Sequence, residues 1–179
     1  MIKNIKLILL LVIVLNTTAI GQTDPFKGSE KIIQKNFNYE NFSNISLIDL
    51  DGTAEIEIAD SLKIELKIRE KYLPILIVTE FNNELQIKFN YTKENNKYIE
   101  DPRISLKISC HNLYDLYKQG NSSIPVNLKN QSKFYMFNVG NGSATLSGIV
   151  DDLRIKNEGN GKKDEGKLID ENENVDTYG

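Results

Sequence analysis

From residue 45 onward the chain alternates apolar and polar residues in short runs, the period-two pattern of strands with one buried face. The runs are 45–50 (ISLIDL), 54–58 (AEIEI) and 62–69 (LKIELKIR), punctuated by the turn pairs Asp51-Gly52 and Asp60-Ser61. In the third run Leu62, Ile64, Leu66 and Ile68 form one set and Lys63, Glu65 and Lys67 the other. Helical geometry would scatter those four apolar residues around a cylinder, so the pattern predicts a strand. Further strands are predicted at 75–79, 84–89, 103–109 and 113–118, with a hairpin turn at Asn82-Asn83. The polar stretch 91–102 has no period and reads as a loop.

After residue 119 the pattern changes, and short Gly-Asn turns recur at a nearly constant interval. They are Gly120-Asn121-Ser122, Gly140-Asn141-Gly142 and Gly159-Asn160-Gly161, with a partial copy at Gly179. The glycines are spaced by 20, 19 and 20 residues. Glycine and asparagine enter positive φ at low cost, so each copy reads as a corner. A fixed period of this length marks stacked units that bury apolar faces only against their neighbours. The expected fold is all-β: a right-handed β-helix or solenoid with rungs of about 20 residues, preceded by a strand-rich N-terminal half. An antiparallel sandwich with Gly-Asn hairpins is the alternative, but hairpin turns would recur every 8–12 residues or so. Phe134, Met136, Val139, Ala144, Leu146, Ile149, Leu153, Ile155 and Leu168 are expected to point inward.

The N-terminus bears on compartment. Lys3 and Lys6 precede the unbroken apolar run 7–15, and the small residues Ala19 and Gly21 follow it. That order predicts a secretory signal over 1–21, cleaved before Gln22; nine apolar residues fall short of the roughly 20 that span a bilayer. Residues 22–41 read as a lead-in and 42–179 as one domain. Loss of the two signal lysines takes the formal charge from −3 to about −5. A mildly acidic chain without a basic stripe argues against nucleic acid and against a polybasic membrane surface. No membrane span is expected once the signal is removed.

Candidate chemistry is sparse. Cys110 is the only cysteine and His111 the only histidine. Adjacent residues on a strand point to opposite faces, so the two cannot readily form a nucleophile–base pair. Cys110 is expected to be a half-buried, inert thiol, and His111 a surface residue. Clustered Cys and His for zinc are absent. The acids Asp151, Asp152, Asp164, Glu165, Asp170, Glu171, Glu173 and Asp176 have neither calcium-solenoid nor EF-hand spacing and read as a solvated rim. Phe134 and Met136 share one strand face, Tyr135 and Phe137 the other. Core packing for the first pair and edge cover for the second is one reading; an exposed Tyr135–Phe137 patch for a glycan or protein partner is the other. No catalytic, cofactor or metal residue is expected.

The signal, the Asp51-Gly52 turn, the run 103–109 (RISLKIS) before 113–123 (LYDLYKQGNSS) and the later Gly-Asn-Gly corners together resemble exported auto-transporter adhesins with a head GIN domain, common in Bacteroidetes. The likeness runs from about residue 42 to 179. It implies a β-helix-like stack, export to the periplasm or cell surface, and adhesion to an envelope ligand. Two departures stand out: Gly-Asn-Ser replaces Gly-x-Gly at the first corner, and Cys110-His111-Asn112 occupies the place of a family proline. The chain also ends within a corner, so it is expected to be truncated and able to self-associate through an open last rung. A polysaccharide-binding or polysaccharide-cleaving β-helix protein is the alternative to a non-enzymatic adhesin.

Overall fold

The computed structural model describes residues 30–50, 52–90, 92, 103–161, 163–170 and 173–178, the last two stretches as backbone paths only. The signal segment, most of the 91–102 loop, Leu168, the acids beyond residue 161 and Gly179 lie outside the described residues or side chains. Among the described residues the chain is all-β. It forms β1 (Ile32–Phe37), β2 (Asn44–Ile48), β3 (Gly52–Ile58), β4 (Lys63–Arg69), β5 (Leu76–Phe81), β6 (Glu84–Phe89), β7 (Ile104–Cys110) and β8 (Asp115–Gln119). The long strands β9 (Ile124–Val139) and β10 (Ala144–Glu158) follow, then β11 (Lys163–Asp170) and β12 (Glu173–Tyr178). A 3-10 turn, Glu70–Ile75, joins β4 to β5.

These strands make one curled sheet, a half-barrel, with the order β1-β4-β7-β3-β9-β8-β2-β6-β5 and β10–β12 continuing from β9. The first half of β9 pairs with β3 and its second half with β8. Both β9 and β10 therefore cross from one wing of the sheet to the other. The strands predicted from alternation are present, and Ile64, Leu66 and Ile68 are fully buried. Asn82 and Asn83 both have positive φ in the β5–β6 hairpin, as a tight primed turn requires. One continuous apolar core fills the curl, drawing on both wings. Its β4–β5 end is plugged by Tyr72, which is fully buried in the 3-10 turn.

The N-terminal strands are interleaved with the later ones rather than set before them. β2 and β3 sit between β6/β7 and β8/β9, pairing in parallel on both sides. β1, from the stretch before residue 42, pairs antiparallel with β4.

From β8 to β12 all pairing is parallel. Asp115 faces Tyr135, an offset of 20 residues, and Tyr135 faces Arg154, an offset of 19. Corners stack backbone upon backbone. Gly142 N–H donates to the Gly120 carbonyl at 3.2 Å, and Gly161 N–H to the Gly140 carbonyl at 3.0 Å. Gly120, Gly140 and Gly159 have φ of +112°, +110° and +111°. A Cβ on Gly140 would stand 2.8 Å from the Gly120 carbonyl oxygen. Asp49, also at positive φ, heads the same ridge: its N–H donates to the Gln119 carbonyl at 3.0 Å. On the outside, Asn160 Nδ2 donates to Asn141 Oδ1, and Asn141 Nδ2 to Asn121 Oδ1, both at 3.2 Å.

Two expectations about facing are corrected. Ile149 is 41% exposed, and Val150 is buried in its stead. Period two from Ala144 and Leu146 already sends Ile149 outward and Val150 inward; the bulge lies on β9, where Leu128 and Lys129 (φ +49°) oppose the single Gly148 (φ +123°). Val139 is only half-buried, because Phe134, Met136 and Asn138 share the inward face. Asn138 Nδ2 donates to the Gly142 carbonyl at 3.0 Å and to Asn157 Oδ1 at 2.6 Å; Asn157 Nδ2 closes the next corner on Gly161.

Lys118 heads this inner ladder. It is fully buried, and its amine donates to Asn138 Oδ1 at 3.1 Å and to the Gly120 carbonyl at 3.4 Å. Burial pushes its pKa down to about 8, because desolvation disfavours the ammonium form.

Two outcomes are expected. Gly140→Val should lower unfolding free energy by on the order of 1–3 kcal/mol, read by chemical denaturation; an unchanged midpoint would contradict the stacked corner. For Lys118, the unfolded chain binds more protons than the folded one between pH 8 and the ordinary lysine range. Stability should therefore rise with pH through that window. Against Lys118→Met, which lacks the group, the wild type should gain on the order of 3 kcal/mol from pH 7.5 to 10.5; parallel pH curves would contradict this.

Candidate functional site

The parallel register decides which side chains meet on the outer face. Asp115, Tyr135 and Arg154 stand side by side on β8, β9 and β10, about 4.8 Å apart per strand. Tyr117, Phe137 and Lys156 form a second such row two residues along. Beside the first row, Lys133 pairs in register with Asp152. The Tyr135 N–H donates to the Tyr114 carbonyl at 2.8 Å, which anchors Tyr114 at the same edge.

These residues line a cleft of about 410 Å³, bounded by Tyr114, Asp115, Lys133, Tyr135, Asp152 and Arg154 over a floor that includes the buried Phe134. That volume lies within the usual range of small-molecule sites. Tyr135 is 37% exposed. Lys133 Nζ sits 4.9 Å from the centre of the Tyr114 ring, a cation–π contact. Arg154 turns one edge to Asp152, with Nε donating to Oδ1 at 3.3 Å and Nη2 to Oδ2 at 3.2 Å. Asn44, with its amide nitrogen facing the acceptors, donates to Asp115 Oδ2 at 3.1 Å.

Phe137 belongs to the neighbouring row and lies outside the cleft. Its ring meets Tyr117 edge to face, with centroids 5.6 Å apart, and Lys156 Nζ lies 4.5 Å from its centre. The structure thus places Tyr135 in a cleft and half-buries Phe137, with the Lys156 amine over its ring. Both stand on the outer face, as alternation from Phe134 and Met136 requires.

The other candidates fall elsewhere. Gly120, Asn121, Gly140, Asn141, Gly142, Gly159, Asn160 and Gly161 form the corner ridge. Gly142 and Gly161 are buried there: a Cβ on Gly142 would run into the Ser122 carbonyl and Lys118 Nζ. Cys110 is fully buried, deeper than the half-buried state expected, and burial raises its thiol pKa to about 12. A neutral, enclosed thiol is a poor nucleophile. His111 is exposed next to it.

Sequence reasoning missed Tyr114, Lys133 and Arg154 as partners of Tyr135. The signal was available: residues 115, 135 and 154 share the interval of the corners. It also missed the inner ladder, although Lys118, Asn138 and Asn157 each stand two residues before a corner glycine. Gln131 was a further omission. Its side chain accepts from the Leu113 N–H and donates to the Leu113 carbonyl, both at 3.0 Å, and so ties the β7–β8 link to β9.

No family model matches the sequence, and no curated protein matches it. Solved structures do resemble it. A "putative lipid binding protein" from Parabacteroides distasonis superposes with a TM-score of 0.62 at 16% identity, over 84% of this chain and 61% of that one. The chain thus spans less than two thirds of that protein. A "putative adhesin" from Bacteroides fragilis superposes with a TM-score of 0.54 at 16% identity, over 79% of this chain and 74% of that one. At this identity the similarity is one of fold: the chain shares its curled all-β architecture with these Bacteroidetes proteins.

Proposed function

We propose that this chain is an exported, non-enzymatic binding protein of the cell envelope, an adhesin built as a right-handed β-solenoid of the head GIN type. The architecture is supported by parallel pairing at offsets of 20 and 19 residues and by corners stacked through backbone hydrogen bonds. Its fold likeness to a Bacteroides fragilis structure named as an adhesin supports the assignment to adhesion and export.

The observation that carries the function is the outer face of β8–β10. Tyr114, Tyr135, Tyr117 and Phe137 line it with aromatic surface, interspersed with Lys133, Arg154 and Lys156. Rings and cations on a rigid sheet suit recognition of an envelope glycan or a surface protein. The thiol and the imidazole, which nucleophilic catalysis would draw on, lie at Cys110 and His111 beyond the cleft lining.

The second reading, polysaccharide cleavage, rests on one specific feature: two carboxylates, Asp115 and Asp152, in one aromatic cleft. Both oxygens of Asp152 accept from Arg154, an arrangement that suits a structural acceptor.

The purified protein, screened on a glycan array and in a reducing-sugar release assay, should bind without releasing reducing ends. Sugar release abolished by Asp152→Ala would replace the adhesin reading with a hydrolase.

A further inference from the structure

We propose that the Tyr135 cleft takes an acidic saccharide, stacking a sugar ring on tyrosine and holding its carboxylate on Lys133 and Arg154. This deepens the reading of the outer face as a glycan-binding surface and rests on it.

Both acids in the cleft have donors. Asp152 accepts from Nε and Nη2 of Arg154, and Asp115 accepts from the amide of Asn44. The cations are less committed. Arg154 engages Asp152 through one edge of its guanidinium, so Nη1 keeps two donors with no partner among the described residues. Its side chain is 65% exposed. Lys133 Nζ rests over the Tyr114 ring and meets no carboxylate among the described residues. The Tyr114 and Tyr135 hydroxyls likewise make no hydrogen bond within the described residues. The cleft thus presents open donors on both cations and the exposed Tyr135 ring, while each of its carboxylates already engages a donor.

A neutral sugar could hydrogen-bond in this cleft but would bring no counter-charge to the two cations. A carboxylate accepts only, and it meets a forked guanidinium and an ammonium. The spacing fits a ring bearing that group. Arg154 stands one strand from Tyr135, about 5 Å, and Lys133 two residues along β9, about 7 Å. A pyranose on the Tyr135 ring would carry its carboxylate to either cation. A free anion or a lipid phosphate would use the cations and leave the exposed Tyr135 ring unused.

Titration calorimetry on the purified protein tests this with paired probes: the galacturonic acid trimer against the galactose trimer, and sialyllactose against lactose. The acidic member of at least one pair should bind ten-fold or more tightly than its neutral counterpart. Arg154→Gln should remove that preference, while Tyr135→Ala weakens both members about ten-fold; both are surface changes, and their thermal melts should match the wild type.

Equal binding of acidic and neutral members would overturn this inference and leave the glycan reading standing. Binding of sodium sulfate as tight as the acidic sugar, with no effect of Tyr135→Ala, would reduce the site to an anion site and overturn it. Binding to phosphatidylglycerol vesicles with no saccharide bound would overturn both the inference and the glycan reading.

Discussion

The structure depends on the close approach of one corner backbone to the next. Gly120, Gly140 and Gly159 hold φ near +110°, and the corner amides donate to carbonyls of the preceding corner. A side chain at Gly140 would occupy the space of the Gly120 carbonyl. Once the corners are stacked, the register of the strands between them is fixed. A slip of one residue would turn every inward apolar side chain outward. Core and corner therefore enforce the same alignment. The inner ladder of Lys118, Asn138 and Asn157 seals the corners from within: Asn138 and Asn157 bond the carbonyls of Gly142 and Gly161, and Lys118 adds a second donor to that of Gly120.

The same register builds the outer face. Residues 19 or 20 apart become neighbours across the sheet, so distant segments of sequence converge without a loop having to fold over them. Tyr135 meets Asp115 and Arg154 in this way, and Phe137 meets Tyr117 and Lys156. Inward positions are constrained by packing and corners by backbone contact; outward positions are limited only by compatibility with a pleated surface. Such a scaffold can exchange the chemistry of its outer face with little effect on its stability.

Most of the strands were legible because alternation is a local signal. The run 62–69 shows this, with Ile64, Leu66 and Ile68 buried and Lys63 and Lys67 outside. The corner interval was legible for the same reason: glycine marks it directly. Ile149 could have been placed outward by the same alternation, since Ala144, Leu146 and Val150 share the inward face. Two features were hidden. Asn138 and Asn157 are polar residues buried for their hydrogen bonds, which hydrophobic patterning assigns to the surface. The insertion of β2 and β3 between later strands is a matter of long-range pairing, and no turn signal encodes it. The cleft followed the same division. Tyr135 was visible as an outward aromatic residue, whereas Arg154 and Lys133 became its partners only through the register.

The most direct test of the stacked register is a disulfide across the corner ridge. Asn121 and Asn141 touch through their amides, and neighbouring strands stand about 4.8 Å apart, within the span of a disulfide. In a Cys110→Ser background, Asn121→Cys and Asn141→Cys should cross-link under mild oxidation of the folded protein. A protein that keeps these thiols free when folded, and links them only after unfolding, would contradict the account.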